Sequence, residues 1–168
     1  MKNADEYTSD IRASGFTLIE LVCVMAILAV LGGVAAPKMF DIVNLARGTS
    51  IDVTEEAFKK AVRIAQLACF TSLWRNRDNL PGYGNGNVDF NNACFPTDTN
   101  NQNVIGGQPA RCLRLWNAIL LPAPSIQTGG AGNATYRAFA SGETCRYRYL
   151  DITPFVEFTY DTQTGVVN

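Results

Sequence analysis

The sequence contains no histidine among its 168 residues. That absence removes the commonest general base, every His-containing triad and the usual zinc ligand sets. Carboxylate, Lys, Ser and Cys remain, but no spacing singles out an active group, so no enzyme activity, cofactor or metal is expected. Close CxxC pairs are missing, which argues against a zinc site. Asp78, Asp89 and Asp98 lack the tight D-x-D-x-D spacing of a calcium loop. Charge of either sign is sparse: 14 Lys and Arg stand against 15 Asp and Glu, a net charge of -1. Charge alone therefore predicts no nucleic-acid face, and nucleic acid is not an expected partner.

What the chain does have is one long apolar run with a single carboxylate in it. From Phe16 to Ala36 only Glu20 is charged, and a stretch of about 20 apolar residues is about 30 Å long as a helix, enough to span a bilayer. Pro37 closes it. A lone carboxylate in hydrocarbon costs about 3 kcal/mol or more, so Glu20 calls for a partner.

The run Gly15-Phe16-Thr17-Leu18-Ile19-Glu20 resembles the processing site of type IV prepilins and type II secretion pseudopilins. The resemblance is dense over residues 14–40. It implies that a prepilin peptidase cuts after Gly15, that the new terminal Phe16 is N-methylated, and that Glu20 pairs with a neighbouring subunit's amino terminus during assembly. Pro37 matches a helix-perturbing proline of many type IVa pilins. The implied fold is the α+β type IV pilin fold, a long amino-terminal helix packed on a small antiparallel sheet. The implied partners are other copies in a helical filament, the assembly platform and other pilins. The implied location is the bacterial inner membrane before assembly and an extracellular surface filament after it.

The residues support the same reading on their own terms. Residues 1–14 are polar, and a secretory signal would place its small-residue cut after the apolar run, not before it. A cut after Gly15 keeps the greasy segment in the product and creates a cationic amino terminus. On an adjacent copy, that cation would relieve the burial of Glu20. The polar stretch carries Lys2 and Arg12 against Asp5, Glu6 and Asp10, a weak positive-inside bias.

The expected organisation is a cleaved leader over 1–15, a transmembrane or filament-core helix over 16–37, its amphipathic continuation over 38–75, and a globular head over 76–168. In the continuation, Ile51, Phe58, Val62, Ala65, Cys69 and Leu73 recur at steps of three, four or seven, the stripe of an amphipathic helix. Glu55 with Lys59 and Glu56 with Lys60 form favourable pairs four apart, and Gly48 is a candidate kink. Residues 76–109 are dominated by Asn, Asp, Gly and Pro and read as a long loop, functional or partly disordered. A short helix is expected over 111–121, ended by Pro122 and Pro124. Antiparallel strands are expected within 135–168, with Arg146-Tyr147-Arg148-Tyr149 alternating so that both tyrosines face one way and both arginines the other. Trp74 and Trp116 read as core.

Of the five cysteines, Cys23 lies in the apolar run and the other four in the part expected outside the cytoplasm, where disulfides form. Four cysteines allow three connectivities. The preferred one is Cys112–Cys145, tying the short helix to a strand, with Cys69–Cys94 pinning the loop to the end of the main helix. Cys112-Leu-Arg-Leu-Trp116, Cys145-Arg-Tyr-Arg-Tyr149 and Tyr160-Asp161 through Gly165-Val166 are similar to pilins of the mannose-sensitive haemagglutinin type. The expected function is that of a major pilin. The alternatives are a minor pilin or secretion pseudopilin, or a ligand-binding pilin (adhesin or DNA-uptake) acting through the 76–109 loop.

Overall fold

The computed structural model describes residues 16–130 and 132–168, with the side chains of residues 34–47 outside the description. The expected leader and Gly15 lie outside the described residues. The chain divides into two compact units, Met1–Val43 and Asn44–Asn168.

Helix α1, Leu18–Thr71, contributes to both units and runs through Gly48. In the first unit every described side chain from Phe16 to Gly33 is exposed. Among the described residues no helix is long and apolar enough to cross a membrane. The expected span extends to Pro37, and its side chains beyond Gly33 lie outside the description.

In the second unit α1 shows a sharp division of faces. Ile51, Phe58, Val62, Ala65 and Cys69 are buried, while Glu55–Lys59 and Glu56–Lys60 pair at 3.5 and 3.7 Å on the wet side. The helix was expected to reach residue 75 but stops at Thr71. Leu73 adopts a left-handed conformation with φ 52°, and the amides of Leu73 and Trp74 donate back to the carbonyls of Phe70 and Cys69. These two bonds make a Schellman ending, a position that normally selects Gly. A leucine there disguises the stop signal. Leu73 consequently leaves the buried stripe and is 81% exposed.

The segment expected as a long loop is built around a small polar core. It contains β1, Asp89–Phe90, paired antiparallel with β2, Pro96–Asp98. Leu80, Val88, Phe90, Cys94 and Ile105 are buried there, alongside Asp89, Thr97 and Asp98. Side chains supply the bonds that longer strands would otherwise make. The Asp89 carboxylate accepts the backbone N–H of Asn79 and of Gln102, each at 2.9 Å. The Thr97 hydroxyl reaches the carbonyls of Asp89 and Gln102, and the Asn91 side chain accepts the amides of Ala93 and Phe95.

Helix α2, Pro109–Ile119, begins two residues earlier than expected because Pro109 suits the first helical turn. It ends where Leu120 turns extended. The main sheet has the order β3-β4-β5-β6, with β3 Ile126–Gln127, β4 Tyr136–Ser141, β5 Thr144–Tyr149 and β6 Glu157–Asp161. It is antiparallel except for β3, which runs parallel to β4. Val167 returns to bridge Tyr160, and a Cβ at Gly165 in that turn would collide with the Phe95 ring.

Register assigns the two faces of the sheet. Tyr136 opposes Tyr149, and Ala138-Tyr147-Phe158 and Ala140-Cys145-Tyr160 follow as successive inward rows. The Phe58 ring lies 5.1 to 5.8 Å from the rings of Trp116, Tyr147, Phe158 and Tyr160, so one residue of α1 seats α2 and the sheet together. Trp116 is fully buried, and Trp74 is only partly so. Of the three possible connectivities the cysteines adopt Cys69–Cys94 and Cys112–Cys145. The first closes the end of α1 onto the polar-cored segment and the second joins α2 to β5.

Candidate functional site

Phe16 and Thr17 precede α1 in non-helical conformation. Thr17 is the helix cap: its Oγ1 accepts the Glu20 backbone N–H at 3.3 Å and its carbonyl accepts the Leu21 N–H at 3.2 Å. Thr17 with Glu20 three residues on is the sequence pattern of a capping box, which satisfies amide donors left without partners by the first turn. The pattern is present in the sequence, embedded at the start of the apolar run. Glu20 thus has a local role as the acidic residue of the first turn, where the helix dipole favours negative charge. Its carboxylate is exposed and free to meet a cation from outside the subunit.

The surroundings of Glu20 are apolar on all sides. Leu18, Ile19, Leu21, Val22, Val24, Met25, Ile27, Leu28, Val30 and Leu31 all stand exposed. A helix that is apolar all round belongs in a membrane or in the middle of an assembly. Cys23 is a free thiol on the same surface. Pro37 falls within the bounds of α1, its side chain outside the description, and Gly15 lies outside the described residues.

Of the three candidate calcium carboxylates, Asp89 and Asp98 are engaged elsewhere, while Asp78 Oδ1 is buried without a hydrogen-bond partner. The Arg114 guanidinium grips Asp98 through two bonds of 2.7 Å, and Arg111 lies 3.8 Å away. That grip raises the Arg114 pKa. Burial pushes the Asp89 carboxyl up, against the lowering effect of the Gln102 and Asn79 amides. Among the described residues no group of three or more His, Cys, Asp or Glu side chains is placed to hold a metal. These residues hold the 76–109 segment in shape.

The family model for the prokaryotic N-terminal methylation motif matches residues 11–36. Over 56 residues the chain is 40% identical to the type IV narrow pilus major component PilA5 of Thermus thermophilus. The matched region covers 33% of this chain and 48% of that relative, so the chain spans about half the relative's length. No solved structure matches.

Proposed function

We propose, from the premise that this chain is type IV pilin-like, bears the N-terminal methylation motif and is a structural protein, not an enzyme, that it is the major subunit of a surface pilus. A prepilin peptidase cuts after Gly15, Phe16 is methylated, and the apolar helix holds the subunit in the inner membrane until the assembly platform draws it into a filament. The observation that carries this reading is the apolar surface of α1 from Leu18 to Leu31, exposed on every side. Burying each Leu, Ile, Val or Met is worth about 1.5–3 kcal/mol, and nothing in the described subunit collects that energy. Identical helices packed side by side would collect it. Glu20 then sets register, because only one stagger brings its carboxylate to a neighbour's amino terminus and any other leaves a charge buried without a partner. The matched relative's designation as a major component supports the major-pilin form of the proposal.

Glu20→Ala tests the register role in cells that produce the protein. The variant is expected to be membrane-inserted and processed yet to yield few filaments. Filaments of normal number and length from Glu20→Ala would overturn it.

A further inference from the structure

The carboxyl end of α1 carries a leucine where the backbone asks for glycine. Leu73 holds a left-handed conformation, φ 52°, and its side chain is 81% exposed. A branched aliphatic side chain gains nothing from that backbone, whereas glycine adopts it without strain. Strain held at one residue, with the side chain left in solvent, points to a use for that side chain.

Leu73 does not stand alone. Leu67, 64% exposed, and Phe70 lie one helical turn apart on the exposed side of α1. The final turn brings Leu73 beside them, its amide donating to the Phe70 carbonyl. From Ala61 to Arg77 the chain has three arginines and no acid. Arg75 lies over the Phe70 ring at 5.0 Å and Arg77 over the Trp74 ring at 5.1 Å. A guanidinium stacked on a ring keeps its N–H edge for an anion. Arg63 is exposed and precedes Leu67 by four residues, on the same face. Among the described residues none of these three arginines forms a salt bridge. The Cys69–Cys94 bridge fastens this corner to the 76–109 segment, so the leucines and charges sit on a fixed support.

Exposed aliphatic side chains among unpaired cations fit a partner that is anionic at its surface and apolar just beneath. A second copy of this head fits poorly, because its described carboxylates are largely engaged. Glu55 and Glu56 are held by lysines, Asp98 and Glu157 by arginines, and Asp89 and Glu143 by backbone amides. Asp78, whose carbonyl accepts the Trp74 indole N–H at this corner, has one carboxylate oxygen buried. An anionic bilayer supplies phosphates for the guanidinium edges and acyl chains for the leucines. We infer that the end of α1 docks on an anionic lipid surface, with Leu67 and Leu73 entering the headgroup layer and Arg63, Arg75 and Arg77 meeting phosphates.

The full-length protein in phosphatidylcholine nanodiscs, mixed with phosphatidylglycerol vesicles and followed by flotation, tests this. Flotation is expected with these vesicles and not with phosphatidylcholine vesicles, and it should weaken as salt is added. Leu73→Gly suits the backbone it enters and removes only the exposed side chain. It should raise the vesicle concentration for half-maximal flotation about fivefold or more, with the near-ultraviolet circular dichroism spectrum unaltered. Arg75→Gln and Arg77→Gln should each raise it about fivefold, the effect of one arginine near an anionic surface. Val104→Ala, at an exposed apolar residue beside Arg111 of α2, should leave it unchanged. No flotation, equal flotation with both kinds of vesicle, or undiminished flotation of Leu73→Gly would each overturn the proposal. So would nanodiscs that cluster without vesicles and disperse on Leu73→Gly, a result that makes a second copy the occupant.

Discussion

Leu28 and Phe58 are both apolar residues of α1, yet Leu28 is 62% exposed and Phe58 is fully buried. Phe58 gets its cover from within the chain, from Trp116 on α2 and from Tyr147, Phe158 and Tyr160 on the sheet. Around Leu28 every described side chain is itself exposed. The head therefore contains its own reason to fold: an aromatic core, two disulfides, and a polar-cored segment closed by Asp89, Asp98 and Asn91. Among the described residues of the amino-terminal unit, Phe16 to Gly33 include the residue types of a core, all of them exposed. On the account given above, the neighbours that cover them are other copies, and the apolar half of α1 is an unfinished interior that assembly completes.

Three tests would break or sharpen that contrast. The largest effect is expected in alkali. Burial holds the Tyr147 and Tyr160 phenols well above the ordinary value of 10.0. Groups raised in the folded state contribute stability that is fully present below the unfolded value and is lost as pH rises beyond it. The head should therefore lose its near-ultraviolet circular dichroism above pH 10 in step with the appearance of tyrosinate absorbance. The helical signal of the amino-terminal unit in detergent should persist. Ionisation of Tyr147 and Tyr160 while the head stays folded would contradict the burial.

Phe58→Ala comes next, with an expected loss of about 3–5 kcal/mol in urea unfolding of the head. Leu28→Ala makes a comparable truncation on the same helix and should leave that unfolding curve in place while reducing filament yield. Equal effects of the two on head stability would erase the distinction between the halves of α1. The smallest effect belongs to Thr17→Ala, which removes the cap at a cost of about 1 kcal/mol. Hydrogen exchange at the Glu20 amide should quicken about fivefold, with head amides unchanged.

Much of this architecture could be read from residue patterns, because the relevant signals were periodic or strongly constrained. The buried stripe of α1 repeats with the helix turn, Arg146 to Tyr149 alternates with the strand, and α2 is marked by its apolar spacing. What escaped was encoded locally. The end of α1 is a Schellman turn with Leu73 where glycine is usual. β1, β2 and β3 are two or three residues long, too short for any period to register, and β2 opens on Pro96 and closes on the buried Asp98. The segment over 76–109 looked like solvated loop because its asparagines and aspartates are those of a turn-rich surface. In the structure several of them serve as the hydrogen-bonding partners of a small interior. At the candidate assembly site, Glu20 stands out in the sequence as a charge in an apolar run, whereas the capping role of Thr17 is a local hydrogen bond that only the helix start defines.

The most direct measurement of the central claim is the intact mass of the main subunit in filaments sheared from cells that produce this protein. A dominant species beginning at methylated Phe16, lighter by two hydrogens for each of the bridges Cys69–Cys94 and Cys112–Cys145, is the result the account predicts. Filaments built from another subunit, with the processed chain retained in the membrane fraction, would contradict its role as the major pilin.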